Sequence, residues 1–169
     1  MKRNDLAAVL AQAPGTLSIH LYPATGEGPT PRAAFDAALL DAGVSHCERL
    51  RESSLIPPHC KIVCAKPHSA AHADRQRRVV VMSQMQQSRP GAHAHAGVGW
   101  LQRGDGGLFI DLHDDSRDRL LHDLHAAFGA IRNFRGAADG SVQTLLASRR
   151  CDGLPVCAIV VAACAGESW

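Results

Sequence analysis

The sequence has few aromatic residues, no long apolar run and almost no excess of one charge. Aromatic side chains make up 4% of its 169 residues, and the formal net charge is +2 at pH 7. A dense basic tract interleaved with aromatic residues, which is typical of nucleic-acid binders, is missing. No apolar run reaches the length of about 20 residues that a membrane helix needs. We therefore expect neither nucleic acid nor a membrane as a partner.

A targeting signal and a disulfide framework are also missing. The short apolar stretch near the N-terminus is interrupted by Asp5 and ended by Pro14 and Gly15, which is unlike a secretory signal. We therefore predict a cytoplasmic protein. The chain has six cysteines, and in that compartment we expect them to behave as small apolar residues rather than to form disulfides.

Length and composition favour one domain over residues 1–169. Apolar residues make up 46% of the chain and charged residues 20%, which is the balance of an ordinary globular protein. A chain of this length can bury a substantial core, and a second domain of normal size would not fit beside the first.

Hydrophobic patterning predicts more strands than helices. Thr30 can cap a helix that ends at Gly43, and Ser116 can cap a longer helix that ends between Gly136 and Gly140. Alternating or apolar segments predict strands at residues 17–22, 47–54, 60–65, 79–82, 92–100, 108–112, 141–148 and 156–163. This pattern suits sheets with helices packed on their outer faces.

Histidine and cysteine residues suggest two metal sites, and we predict neither. Four potential metal ligands recur at every fourth residue, as they would on one face of a helix: Cys60, Cys64, His68 and His72. Pro67 interrupts such a helix, so the four side chains would not share one face. His93 and His95 would share one face of a strand, but no third ligand is evident. We expect a solvated or hydrogen-bonded face there.

The run from Arg51 to Pro58 contains a serine pair, two apolar residues and a double proline. One interpretation is an ordinary turn fixed by the prolines. The other is self-cleavage, in which the Ser54 hydroxyl attacks the Ser53 carbonyl carbon and converts the peptide bond to an ester. Elimination then cuts the chain, and loss of ammonia on hydration leaves a pyruvoyl group, an electrophile that can withdraw electrons from an amine substrate.

The surrounding sequence favours the second interpretation. Residues 30–44 and 53–63 together closely resemble the pyruvoyl-dependent arginine decarboxylases, and weaker similarity extends the resemblance over most of the chain. The resemblance implies an α+β fold, an αββα sandwich with antiparallel or mixed sheets covered by helices. It also implies decarboxylation of arginine, giving agmatine and carbon dioxide, or of a related basic amino acid.

The same resemblance implies a mature form and an assembly. Cleavage between Ser53 and Ser54 would give a β chain of residues 1–53 and an α chain of residues 54–169, with the covalent pyruvoyl group made from Ser54. The family's pocket lies between subunits, so the resemblance implies a homotrimer or a dimer of trimers with a small amino acid as substrate.

Asp111 and Asp36 take positions where the family has functional carboxylates. Asp111 stands where the family has the Glu that donates a proton, and a lone acid after an apolar strand is the kind of group whose pKa burial raises. The alternative is a strand-end carboxylate that only aids solubility, with His113 and Asp114 as other candidate donors. Asp36 stands where the family binds the substrate guanidinium; the alternative is an exposed helix acid paired with Arg32.

Two further residues are predicted to bind the substrate. The sequence also departs from the family pattern at several positions. Cys47 and Glu48 lie in the corresponding segment, where Glu48 replaces a family Asn. Glu52 replaces an apolar residue, and its charge could repel the oxyanion that develops during cleavage. Asp111 is one methylene shorter than the family Glu. These changes leave two alternatives open: a decarboxylase for a different amine-bearing substrate, or an unprocessed, non-catalytic subunit that binds or assembles.

Overall fold

The computed structural model describes residues 17–49, 54–65, 77–135 and 140–165. Within these ranges the chain forms two helices, α1 (Pro31–Asp41) and α2 (Arg117–Arg135). It also forms nine strands: β1 (Ser18–Glu27), β2 (Glu48–Arg49), β3 (Leu55–Ile56), β4 (Lys61–Cys64), β5 (Arg77–Gln87), β6 (His93–Arg103), β7 (Gly106–Asp114), β8 (Gln143–Arg150) and β9 (Val156–Ala165).

The strands form two sheets. A five-stranded sheet has the order β2-β5-β9-β1-β4, and a four-stranded sheet has the order β3-β7-β6-β8. Most neighbours are antiparallel, but β1 runs parallel to β4 and β2 runs parallel to β5. The five-stranded sheet is therefore mixed, whereas the four-stranded sheet is antiparallel.

Helix α1 covers the outer face of the five-stranded sheet. The Thr30 hydroxyl accepts a hydrogen bond from the Ala33 N–H at 3.1 Å, which confirms the predicted cap. Gly43 adopts a positive φ of 69° just after the helix, as a helix-ending glycine does. Ala34, Phe35 and Ala38 are buried on the side facing the sheet. Leu40, in contrast, is 54% exposed.

Helix α2 covers the outer face of the four-stranded sheet. Its N-terminal cap is Ser116, whose hydroxyl accepts from the Arg119 N–H at 3.4 Å. Leu120, Leu124 and Phe128 are fully buried, at the four-residue spacing of one helix face. These side chains pack over β6 at Gly97 and Gly99, where the absence of a side chain makes room for them.

The main core lies between the two sheets. It contains inward-facing residues from both, among them Leu21, Val98, Phe109 and Val160. A second cluster lies between α1 and the five-stranded sheet. The layers are therefore helix, sheet, sheet and helix, which confirms the predicted α+β αββα sandwich.

One predicted strand is wrong. Residues 47–54 were expected to form a single strand, but β2 covers only Glu48 and Arg49, and Ser54 belongs to no strand; residues 50–53 lie outside the described residues. The short run of alternating residues indicates extended backbone but does not specify a pairing partner. The next strand, β3, begins just after this range and belongs to the four-stranded sheet, whereas β2 belongs to the five-stranded sheet.

Candidate active site

Ser54 immediately precedes β3 at the edge of the four-stranded sheet. Its carbonyl oxygen accepts a hydrogen bond from the Phe109 N–H of β7 at 2.7 Å, and the next residue, Leu55, pairs with Leu108. Ser54 itself is exposed. The backbone that follows the predicted cleavage point is thus fixed to β7, while its side chain remains accessible.

Asp111 lies on β7, two residues beyond Phe109. Facing residues of an antiparallel pair point to the same side, and alternate residues of a strand share a face. Since Ser54 faces Phe109, the register places Ser54 and Asp111 on one face as diagonal neighbours, with Cα atoms about 7–8 Å apart. The structure therefore brings these two predicted site residues together.

The environment of Asp111 differs from the expectation in one respect. A buried carboxyl group was expected there, but Asp111 is exposed in the single chain. The strand ahead of it is apolar, with Phe109 buried and Ile110 partly buried. However, β3 is only two residues long, so its pairing with β7 ends short of Asp111. Any burial of this carboxylate has to come from outside the described part of the chain.

The two alternative proton donors near Asp111 differ in their surroundings. Asp114 forms an ion pair with Arg119 at 2.8 Å and accepts from the Ser116 N–H at 2.6 Å. These contacts, the first of them the hydrogen bond from Arg119, lower the pKa of Asp114 to about 2. A carboxylate held ionised in this way is a poor acid near neutral pH. His113 is exposed on the same face of β7 as Asp111.

Asp36 and Cys47 line a pocket of about 340 Å³ on the outer side of the five-stranded sheet. Most of the lining is apolar, from Leu39, Leu40, Val44, Val79 and Met82. Asp36 is one of two charged groups there, and its partner is Arg32, 3.1 Å away. An apolar pocket with a few polar groups is typical of a small-ligand site.

The Arg32–Asp36 ion pair is weakly held. The two side chains are 77% and 50% exposed, at i,i+4 spacing on α1. Such exposed helix pairs contribute about 0.3–0.5 kcal/mol. The guanidinium of Arg32 also lies 5.8 Å from the centre of the Phe35 ring. A ligand guanidinium could therefore replace Arg32 on Asp36 at little cost, so the helix pair and a binding role for Asp36 are compatible.

The predicted site residues fall into two groups. Asp36 and Cys47 share the pocket under α1, whereas Ser54 and Asp111 lie on the inner face of the four-stranded sheet and are not among the residues lining that pocket. Glu48 begins β2, beside Cys47, but its side chain lies outside the described residues. Ser53 and Glu52 lie outside them too. Sequence reasoning missed the apolar lining of the pocket, since Val79 and Met82 gave only the signal of a strand.

The two histidines of β6 lie away from both groups. His95 is buried, and its Nδ1 atom lies 2.7 Å from the Ser148 hydroxyl. His93 stacks on it with parallel rings 5.5 Å apart. No cluster of three or more metal-ligating side chains occurs in the described ranges. The hydrogen bond to Ser148 agrees with the expected hydrogen-bonded face.

Comparison with known proteins identifies the family. The family model described as pyruvoyl-dependent arginine decarboxylase (PvlArgDC) matches residues 18–164. The chain belongs to this family. Its members are carboxy-lyases with a covalently bound pyruvoyl group, so the predicted family, enzyme class, cofactor and decarboxylase function are confirmed at the level of the family.

Individual relatives match over different lengths. A pyruvoyl-dependent arginine decarboxylase from Halobacterium salinarum is 32% identical over 126 residues, which cover 71% of this chain and 77% of that protein. The protein of that name from Methanocaldococcus jannaschii is 46% identical over 50 residues, 30% of this chain and 29% of the relative. That from Methanopyrus kandleri is 49% identical over 41 residues, and the match spans 27% of its length.

The residues around Ser54 are compatible with the family's pyruvoyl group. When present, this group supplies a carbonyl that withdraws electrons from an amine-bearing substrate. Ser54 offers an exposed side chain on a backbone held by the Phe109 N–H, so this residue can react without losing its place in the sheet. Neither helix of the described residues is long and apolar enough to cross a membrane.

Proposed function

We propose that this chain cuts itself between Ser53 and Ser54 and then decarboxylates arginine or a related basic amino acid. The two products, residues 1–53 and 54–169, stay together as one domain. The observation that carries this proposal is the register that places Ser54 beside Asp111, with the Ser54 carbonyl held by Phe109.

Self-cleavage is supported by the position of Ser54. The residues after it are paired with β7, and the preceding described strand, β2, belongs to the other sheet. A cut between Ser53 and Ser54 therefore breaks no strand pairing of the described residues. The Ser54 hydroxyl attacks the Ser53 carbonyl carbon, the acyl group moves from nitrogen to oxygen, and elimination frees the carboxylate of Ser53.

Asp111 is our proposed proton donor. After carbon dioxide leaves, the substrate's α-carbon needs a proton, and Asp111 is the carboxyl group that the register places beside Ser54. Asp114 is less suited, because Arg119 and the Ser116 N–H keep it ionised. Asp111 therefore delivers the proton in this proposal, and the strand pairing of β7 holds it in place.

Asp36 is our proposed binding group for the substrate's cationic end. Its pocket does not include Ser54, and Asp111 is exposed in the single chain. Both observations support an active site that is completed between subunits. In this site Asp36 faces Ser54 of a neighbouring copy, and Cys47 and Glu48 lie beside Asp36. Leu55 is 62% exposed next to Ser54 and offers apolar surface for that contact. We propose a homotrimer or a dimer of trimers.

We also propose that the protein works in the cytoplasm. Four cysteines are buried thiols outside any disulfide: Cys60, Cys151, Cys157 and Cys164. Free buried thiols are typical of a reducing compartment, where disulfides rarely persist.

Intact-mass spectrometry tests the cleavage. We expect one fragment ending at Ser53 and a second that begins at residue 54 with a ketone in place of its amine, whereas Ser54→Ala should stay whole. Only full-length protein after prolonged incubation would contradict the proposal and favour the non-catalytic subunit.

Substrate and assembly need separate measurements. Carbon dioxide release should be highest with arginine, lysine or ornithine, and Asp36→Asn should raise KM for that substrate more than it lowers kcat. A cleaved protein that is inactive on basic amino acids would indicate a different amine-bearing substrate. Sedimentation at micromolar concentration should show a trimer or hexamer, and a stable, active monomer would contradict a site shared between subunits.

A further inference from the structure

Ser83 is a buried hydroxyl that connects the two sheets. It lies on β5 of the five-stranded sheet and is 1% exposed. Its hydroxyl donates to the Leu112 carbonyl oxygen at 2.5 Å and accepts from the Gly97 N–H at 3.2 Å. Both partners belong to the four-stranded sheet. Burying a polar group is costly unless it is hydrogen-bonded, and here the hydroxyl is satisfied by two backbone groups of the opposite sheet.

The two backbone partners of the Ser83 hydroxyl lie on neighbouring strands. Gly97 on β6 and Leu112 on β7 face each other in the strand pairing. The Ser83 hydroxyl therefore bonds the N–H of one strand and the carbonyl of the other from the opposite sheet. Leu112 directly follows Asp111, so Ser83 holds the backbone next to the proposed proton donor.

The same strand also lines the substrate pocket. Met82, the residue before Ser83, contributes to the pocket that contains Asp36 and Cys47. Since successive residues of a strand point to opposite faces, β5 presents Met82 to the pocket and Ser83 to β7. One strand thus lines the pocket of Asp36 and bonds β7 next to Asp111.

We propose that Ser83 is a positioning residue, which holds β7 so that Asp111 keeps its place beside Ser54. This inference rests on the proposed function. Ser83 touches no substrate in this scheme. It acts through the Leu112 carbonyl, whereas Ser54 is held by the Phe109 N–H, so self-cleavage should not depend on Ser83.

Removing the hydroxyl should move β7. In Ser83→Ala the Leu112 carbonyl loses its hydrogen bond to the five-stranded sheet, so β7 is held less firmly at the residue that follows Asp111. Because Ser54 is held at Phe109 and the lost bond lies at Leu112, Asp111 can then shift relative to Ser54. Because a displacement of about 1 Å can cost roughly a hundredfold in rate, we expect kcat to fall at least about tenfold.

The test uses the full-length protein with three variants. Ser83→Ala removes the hydroxyl, Ser83→Thr keeps it, and Ser148→Ala is the matched control, because Ser148 also bonds a buried partner but lies on β8. Intact mass measures cleavage, carbon dioxide release gives kcat and KM, and amide hydrogen exchange follows peptides covering residues 107–114. The exchange measurement does not depend on activity.

The proposal predicts a specific pattern. In Ser83→Ala, cleavage should be complete, kcat should fall at least about tenfold with KM within twofold, and exchange should accelerate over residues 107–114 but not in β1. Ser83→Thr should recover most of kcat, and Ser148→Ala should leave kcat within twofold.

Two results would overturn the proposal. One is Ser83→Ala with unchanged kcat and unchanged exchange in β7. The other is faster exchange throughout the protein, which indicates a general stabilising role. If the unmodified protein is cleaved but releases no carbon dioxide, the proposed function fails, while the exchange pattern still decides whether Ser83 holds β7.

Discussion

Gly26 allows α1, the helix that carries Asp36, to approach the five-stranded sheet closely. A Cβ atom at Gly26 would lie 2.1 Å from the Ala34 carbonyl oxygen and 2.4 Å from the Ala38 nitrogen. Ordinary contacts between non-bonded heavy atoms are about 3.5–4.0 Å. The obstacle is helix backbone, which no change of side-chain rotamer can move. Gly26→Ala therefore has to push α1 away from β1, and Asp36 moves with the helix.

The size of this effect follows from the type of clash. Overpacking a core costs about 1–3 kcal/mol, occasionally more, when side chains can adjust. Here only the helix as a whole can adjust, and it would leave Ala34 and Ala38, which are fully buried, less well packed. We expect Gly26→Ala to lower the free energy of unfolding by about 3 kcal/mol or more. For a domain of this size that is a fall of about 6–12 °C in melting temperature.

Thermal and urea unfolding can measure this loss of stability. The measurements use a Ser54→Ala background, so that every sample is a single uncut chain at one protein concentration. The matched control is Gly129→Ala in the middle of α2, where an added Cβ meets nothing within 4 Å. That change should stabilise by about 0.5–1 kcal/mol, because alanine is favoured over glycine inside a helix. A Gly26→Ala protein within about 1 kcal/mol of its parent would refute the reasoning.

Three further predictions concern titratable groups. Asp111→Asn should lower carbon dioxide release roughly a hundredfold while cleavage continues, and near-full turnover would instead point to His113 or solvent. Burial, with smaller effects from neighbouring charges, lowers the pKa of His95, so the unfolded chain binds more protons. The free energy of unfolding should therefore fall as pH drops below about 6.5, and less so in His95→Gln. Burial raises the pKa of Cys157 to about 11, so a thiol reagent at pH 8 should modify exposed Cys64 much faster.

The local features of the fold could be predicted from the sequence because their causes are local. Thr30 and Gly43 delimit α1 through a side-chain cap and a positive φ, and both signals are visible in the sequence. The four-residue spacing of Leu120, Leu124 and Phe128, also visible in the sequence, is that of one buried helix face. The resemblance to a family then supplied the arrangement of the layers, which periodicity alone does not specify.

The features that the sequence could not predict depend on contacts between distant residues. The sequence predicted one strand over residues 47–54, yet β2 near its start and β3 just after it belong to different sheets. Ser83 looked like one more polar residue after an apolar run, and its role is visible only because Leu112 and Gly97 lie above it. The exposure of Asp111 was missed for a related reason, since the pairing of β3 with β7 stops before reaching it.

The central position of β1 in its sheet affects how the cleaved protein refolds. Strand β1 lies between β9 and β4, and it pairs with β9 over nine residues. If the chain is cut after Ser53, a middle strand of the larger fragment's sheet belongs to a separate polypeptide. Folding before the cut is unimolecular, whereas refolding after it requires two molecules to meet, so recovery from denaturation becomes dependent on concentration. A mature protein once unfolded would then rarely recover, and its lifetime would depend on how slowly it unfolds.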